Sequence, residues 1–559
     1  MLAGIKKTLK YLIKNKLLFL LTVTAFILTL LPFVFDGQYG CVKAGCGMII
    51  GTNYRDGVWF LAVAAAAFKT IPFRMPNFAG ELLQGYHYLP NLITYLLSLV
   101  GIPITVTYYK LIPVFYMVAL SLLATVLGRR IKDNPQFVFF FLFFVFFGMP
   151  LTLITSLYHF GYIKNQLLIN TFQATRILEG THLALSFLIV LAALLIIEKK
   201  TIRPRGRLLL GGLLLLTFGV KFYTGILLGL MIVVFEFLIF ISEKKLRPYL
   251  LRGTWYIGCI GVSILLFYNP FNKASGGSVF VWAPFATVHH LIEEPSLFYN
   301  KNLVLARYFL YAHGWSPRLI AIEFFSVFLY VLFYFGLRVV GFFYIVKQTI
   351  LRRLTRFEIV LTVGIIAGII FSVLLIQKGD WFNPIQFAVV SAFLLNIFAA
   401  RFIFEILIRN KPVGWLVFVG IFMITFPANL VNLGYLVNPA RYVISTKEML
   451  ALDFLKKQPD GPVFYPIFEN DLAYVSAFTG KSGYVNFTNV LENTGMPAKQ
   501  RLAETQSADA INLDGLSVRY LYLPTVYPKH ALLETRAKAS SRYHEIYRNQ
   551  EASVFEKRP

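Results

Sequence analysis

Residues 1–16, MLAGIKKTLKYLIKNK, carry five lysines and no acid, and residues 17–35, LLFLLTVTAFILTLLPFVF, follow without a charge. A basic start and an apolar run also describe a secretion signal. This run is too long for one, and no small-residue cleavage site follows it. It reads as a first membrane span that stays, with the basic side in the cytoplasm.

The rest of the chain continues that pattern. Of 559 residues, 57% are hydrophobic and 14% charged, and the mean hydropathy is +0.66. A soluble chain is nearer a quarter charged. The 55 Phe and 31 Tyr suit lipid-facing helices with interfacial rings. The net charge of +26 would suggest nucleic acid in a soluble protein. Here the cations stand between apolar runs, so they read as topology signals, and nucleic acid is excluded as a partner.

A span needs about 20 mostly apolar residues. The expected spans are 17–36, 104–128, 136–157, 181–198, 207–220, 222–241, 249–268, 318–340, 357–376, 385–405 and 414–434. Every second connection is densely basic, for example Arg129, Arg130 and Lys132, then Lys199, Lys200, Arg203, Arg205 and Arg207. These face the cytoplasm, and an odd count leaves the C-terminus outside. Residues 88–101, YLPNLITYLLSLVG, are apolar but too short to cross, and they read as a re-entrant piece lining a cavity. The expected external connections 37–87, 158–180 and 269–317 are long. Loops above about 15 residues usually carry function, so the working face is outside.

The fold class expected is an all-α polytopic membrane domain over 1–440, followed by a small extracytoplasmic α/β domain over 441–559. Past 440 the composition turns polar. STKEMLALDFLKKQ has a helix start and helical spacing. PVFYP, RYLYLP and ASVFEK read as strands, with DLAYVSAF and QRLAETQSADA as helices between them. Cys41 and Cys46 share the first long loop. A small disulfide and two free thiols are both open there, and no spacing rule supports a metal site.

That loop, GTNYRDGVWFLAVAAAAFKTIPFRMPNFAGELLQGYHYLPNL over 51–92, holds the first candidate. Asp56 opens an Ala-rich stretch suited to an interfacial helix, where the helix dipole favours a carboxylate. A plain N-cap is the alternative. A carboxylate among few acids, with Glu81 and His87 downstream, could take a proton from a hydroxyl or hold a divalent cation. His87, between Tyr86 and Tyr88, could orient a substrate, or it could belong to an aromatic belt. Arg176, flanked by His159 and His182, together with Lys221, Arg307 and Lys378, puts cations on the outer side against the orientation bias. Such cations suit a phosphate or pyrophosphate of a lipid-linked donor, with lipid headgroup contact as the alternative. His289, His290, Glu293 and Glu294 form HHLIEE, but no second ligand set stands at a metal spacing, and HExxH is absent.

Several stretches resemble the GT-C superfamily of membrane glycosyltransferases, in particular its large bacterial branch. They are D-x3-F-x-A from Asp56, P-x-F-A-G-x-x-L-x-x-Y-H-Y from Pro76 to Tyr88, KFYTGILLGL from Lys221, DWFNPIQF from Asp380, and DLAYVSAFTGK. The order of these stretches covers nearly the whole chain. The resemblance implies an inverting glycosyltransferase of the plasma or inner membrane. Its donor would be a polyprenyl-phosphate-linked sugar, and its acceptor a glycan, lipid or protein outside. Asp56 takes the place of the catalytic acid of the first outer loop. Arg55 and Gly57 stand where many members have a second acid, which favours a base without metal, though a divalent cation stays possible as a cofactor. The alternative to an enzyme is a lipid or glycan transporter, or a scaffold of surface-polysaccharide export. Transporters often show matching halves with broken helices, and no matching halves are visible here.

Overall fold

The computed structural model describes residues 2–43, 45–51, 53–163, 174–199, 202–268, 270–271, 280–294, 299–378, 381–437, 442–466, 472–505, 509 and 511–558. Asp380, Asp471 and parts of the expected loops 158–180 and 269–317 lie outside these. Among the described residues, eight helices are long and apolar enough to cross a membrane: Lys16–Phe33, Ile104–Ile131, Phe222–Glu243, Leu246–Tyr268, Pro317–Ile350, Arg356–Leu374, Ile385–Arg409 and Lys411–Ala428. Each overlaps an expected span. Two further expected spans are the 17-residue helices Thr181–Ile197 and Pro204–Val220, about 25 Å long at about 1.5 Å per residue.

The remaining one, 136–157, is not a single helix. Pro135–Phe147 and Thr152–Phe160 are separated by Gly148–Leu151. Gly148 has an extended ψ of 130°, and Pro150 brings no N–H with which to continue the ladder. The first half is PQFVFFFLFFVFF, started by Asn134, whose side chain accepts from Gln136 N and Phe137 N. It has no polar face, and of Phe137–Phe147 every residue but Phe139 is buried within the protein.

The chain divides into two compact units. The first, Met1–Leu31, Val114–Ser263 and Phe280–Leu436, is almost wholly helical. Ile385–Arg409 is its most enclosed long helix, with 89% of its apolar window buried; Phe393 stacks on Phe187 with centroids 4.4 Å apart. Some of the basic residues do more than orient the chain. Arg207 and Arg252 lie 3.4 and 3.2 Å from the buried carboxylate of Glu236. A buried charge survives only when paired and hydrogen-bonded, and the Tyr256 hydroxyl also donates to Glu236.

The second unit is Pro32–Pro113, Ile264–Val279 and Val437–Pro559. A three-stranded antiparallel sheet in it joins Tyr39–Val42 to Gly45–Ile50 and Gly45–Ile50 to Tyr442–Ser445. Cys41 faces Cys46 across the hairpin, and the two are disulfide-bonded, which settles the alternatives that spacing left open. A four-stranded sheet runs in the order Val463–Phe464, Tyr520–Pro524, Ala552–Lys557, Tyr543–Arg548. The first three lie on the expected strand stretches. The fourth was missed because it is an edge strand of mostly polar residues, YHEIYR, with little apolar signal. The helix Thr446–Lys457 starts on Ser445, whose hydroxyl accepts from Glu448 N. The Glu448 carboxylate is buried, and burial raises its pKa. It accepts from the Tyr474 and Tyr522 hydroxyls at 3.1 and 3.2 Å. Residues 88–101 hold a regular helix, Leu89–Leu99, of 11 residues, about 16 Å long and so too short to cross.

Candidate functional site

Asp56 is placed by a chain of local constraints in the second unit. Asp36 is fully buried and accepts from Gly51 N at 2.8 Å, fixing the end of the hairpin strand. Asn53 turns into the left-handed region at φ 49°, its amide donates to the Tyr108 hydroxyl at 3.2 Å, and its carbonyl accepts from Gly57 N. The helix Tyr54–Ala62 begins there, with Asp56 in its first turn. A Cβ at Gly57 would lie 3.1 Å from the Tyr108 hydroxyl, a tight contact that the glycine avoids.

The helix departs from expectation. Its Ala-rich stretch continues as a π-type turn, Val63–Ala67, and nearly every residue from Gly57 to Phe68 is buried. It is not an interfacial helix. With apolar residues on every side it has no polar face to offer water, and protein encloses it. Arg55 and Asp56 are the exposed exceptions.

Tyr86 is within electrostatic reach of Asp56. The Tyr86 ring meets Trp59 edge-on at 5.6 Å and stacks on His87 at 4.8 Å. Enclosure of Tyr86, and next the charge of Asp56, push its hydroxyl well above the ordinary tyrosine range, so it stays protonated. Trp59 also touches Phe487 at 5.8 Å.

The stretch PNFAG has a structural task. Ala79 N donates to Gly483 O, Gly483 N to Pro76 O, and Asn486 N to Asn77 O, a short backbone ladder between 76–79 and 483–486. The Asn77 amide donates to Asn486 O, and Ser476 Oγ to Pro76 O. Arg501 donates to Ala79 O and Tyr484 O and lies over the rings of Phe78 and Tyr484. Ser476, in one resembling stretch, and 483–486 just beyond it thus clamp the PNFAG of another, far away in sequence. Glu81 takes part through its backbone, with Met75 N donating to Glu81 O at 2.8 Å.

The expected cations all fall in the first unit. Lys221 is the one extended residue between Pro204–Val220 and Phe222–Glu243. It is half-buried, lies 5.7 Å over the Tyr223 ring, and is within electrostatic reach of buried His182. Ser186 and Thr224 share a hydrogen bond of 2.8 Å, Tyr223 donates to Gln377, and Asn383 donates to Gln377 at 2.9 Å. This is a polar cluster among apolar helices. Arg176, on the short helix Ala174–Leu178, pairs with Glu179 at 3.0 Å.

Arg307 is buried and already engaged. It pairs with Glu293 and donates to His289 Nδ1 at 3.3 Å, while His289 Nε2 donates to Glu323 at 2.7 Å. A guanidinium only donates, so the imidazole proton sits on Nε2. HHLIEE thus supplies partners for Arg307. His159 packs its ring against Tyr158 at 4.9 Å, and Lys378 is exposed beyond the strand Leu375–Gln377.

The sequence reading passed over Asp36 and Asn53. The available signal for Asp36 was that it is the first acid in the chain, closing the first apolar run. For Asn53 there was no signal beyond its tolerance of positive φ.

No protein-family model matches the chain, and no curated protein sequence does. Solved structures do. The chain is similar to the crystal structure of the Archaeoglobus fulgidus oligosaccharyltransferase in complex with Zn and sulfate, at 13% identity and a TM-score of 0.51, covering 96% of this chain and 73% of that one. It is similar also to archaeal oligosaccharyltransferase AglB from Archaeoglobus fulgidus in complex with an inhibitory peptide and a dolichol-phosphate, at 12% identity and a TM-score of 0.50, covering 95% and 73%. The likeness is one of fold: the chain shares the overall fold of these oligosaccharyltransferases. That fold raises the question of a metal. Among the described residues no group of three or more His, Cys, Asp or Glu could hold one.

Proposed function

We propose that this GT-C-like chain is a membrane glycosyltransferase that moves a sugar from a polyprenyl-phosphate donor to an acceptor hydroxyl on the extracytoplasmic side. Asp56 carries the reading: it is an exposed carboxylate in the first turn of a helix buried from Gly57 onward, in electrostatic reach of a protonated Tyr86 on which His87 stacks. Asp56 accepts the proton of the acceptor hydroxyl as that oxygen attacks the anomeric carbon. The bond from that carbon to the phosphate oxygen breaks on the opposite face, so the configuration inverts. His87 positions substrate, and the polar chain beyond residue 441 serves as the acceptor-side domain. No step runs through a metal ion. The support from relatives is that a similarly folded protein was solved with a dolichol-phosphate and a peptide.

The test is sugar transfer from a labelled polyprenyl-phosphate sugar by the full chain in nanodiscs. A general base contributes about 10²–10⁴-fold, so Asp56→Asn is expected to lose that much activity while retaining donor binding. Turnover within tenfold of the parent would remove Asp56 as the base.

A further inference from the structure

The stretch WFNPIQF, 381–387, has no task in the chemistry proposed for Asp56. In the first unit it meets two other segments. Phe280–Trp282 pairs antiparallel with Leu375–Gln377, and Phe280 stands opposite Gln377. The helix Phe222–Glu243 starts beside them. The Phe222 ring stacks on Phe280 at 5.7 Å, and Tyr223 lies edge-on to Phe280 at 6.0 Å and to Phe387 at 4.9 Å. The backbone fixes the turn that opens the stretch: Ile385 N donates to Phe382 O, Gln386 N to Asn383 O and Phe387 N to Pro384 O.

Three amides tie these segments into one hydrogen-bonded chain. Gln377 Oε1 accepts from the Tyr223 hydroxyl and, at 2.9 Å, from Asn383 Nδ2. Asn383 Oδ1 accepts from Gln386 Nε2. A side-chain carbonyl has two lone pairs, and an amide nitrogen only donates. Gln377 Oε1 is thus saturated, which leaves the Gln377 N–H donors at one end of the chain and the Gln386 carbonyl at the other. An amide chain ends in a donor and an acceptor whichever way it runs. Neither end atom has a hydrogen-bond partner among the described residues, and both keep access to solvent. Trp381 lies in the same turn as Asn383 and is 39% exposed. Its ring is held edge-on by His290 at 4.5 Å and by Phe382 at 5.3 Å.

An amide chain that only braced the fold would have its ends filled, as protein amides in enclosed places do. These ends select a ligand class. A carboxylate offers acceptors only and an ammonium donors only, so neither serves both ends. Neighbouring sugar hydroxyls each donate and accept, and a sugar ring also carries an apolar C–H face that an aromatic ring can cover. We propose that Gln377 and Gln386, aligned by Asn383, bind hydroxyl groups of a sugar ring whose C–H face packs on Trp381. Only the assignment of that sugar as the group in transfer rests on the glycosyl-transfer reading.

The experiment is saturation-transfer NMR on the full chain in nanodiscs. The probes are the methyl glycosides of glucose, galactose, mannose and N-acetylglucosamine. Saturation is expected to reach the ring protons of at least one of them, most strongly on one face. Gln386→Leu removes the free carbonyl and is expected to weaken that glycoside about 5- to 10-fold, the worth of one hydrogen bond. Trp381→Ala is expected to weaken it by a similar factor, and Trp381→Phe, which keeps an aromatic face, to recover most of the loss. Both sites are partly exposed, so the thermal midpoints are expected to hold. Absence of saturation transfer to all four glycosides overturns the site. So does parent-like affinity in either variant: in Gln386→Leu the amide chain is then only a brace, and in Trp381→Ala the ring then belongs to the lipid interface. Asp56→Asn is expected to bind the glycosides as the parent does. A failure of the base therefore leaves this site standing, and a failure of glycoside binding leaves the base untouched.

Discussion

Lys481 sits in the segment that clamps PNFAG, and its titration offers a measurement on the scaffold of the site. It is 2% exposed, and its ammonium donates to Gln458 O at 2.8 Å and Pro459 O at 2.7 Å. Burial pushes its pKa from 10.5 down to about 8, with Asp460 opposing and Lys69 and Arg519 adding to the effect. A lowered lysine value means that the unfolded chain holds a proton which the folded chain has released. Stability therefore rises with pH between about 8 and 10.5 and is flat below that window. At about 1.4 kcal/mol for each tenfold in proton affinity, the rise is about 3 kcal/mol.

Lys481→Met removes the charge and two hydrogen bonds worth about 1 kcal/mol each. Near pH 7 the relief of about 3 kcal/mol outweighs the loss of about 2, so the variant should equal or slightly exceed the parent. Above pH 10.5 only the loss of about 2 kcal/mol remains, so the two curves should cross. Native-state hydrogen exchange in Tyr520–Pro524 and Ala552–Lys557, corrected for intrinsic rates, reads this locally. The tyrosines that titrate at high pH are common to both proteins and cancel in the difference. Parallel curves across the window would refute the burial penalty.

Asp36→Ala should free Gly51 N and loosen the start of the Asp56 helix by about 1.5–3 kcal/mol. Faster exchange at Gly51 and a lower kcat with little change in KM would report it, and Asp36→Asn, which keeps an acceptor, should recover most of the loss. Arg501→Ala removes two charge-assisted bonds and two ring contacts, so about 2–4 kcal/mol of local stability should go. Limited proteolysis would then cut near 76–80, and a parent-like pattern would show that the backbone ladder holds the clamp without Arg501.

Much of this was legible because one-dimensional patterns fix it. Lys16–Phe33 and Ile385–Arg409 announce themselves by length and apolarity, and Asp56 by its place at the head of an apolar helix. Other features were not legible. PQFVFFFLFFVFF runs into GMPLTLITSLYHF without a charge, so the break at Gly148 hides inside what looks like a single span. The Asp56 helix looked interfacial because an apolar run has the same composition whether lipid or protein covers it. Arg307 reads as a spare cation because Glu293 and His289 reach it only after the helices pack.

Sequence by itself determined the helical, membrane-suited class, the strands RYLYLP and ASVFEK, and the candidacy of Asp56. These follow from periodicity, propensity and charge along the chain. Tertiary structure alone decided which polar groups meet. Tyr86 comes within electrostatic reach of Asp56, 76–79 pair with 483–486, and Tyr223 donates to Gln377. Each joins residues distant along the chain through short-range hydrogen bonds, ring contacts or burial, whose energies depend on distance and enclosure rather than on sequence separation.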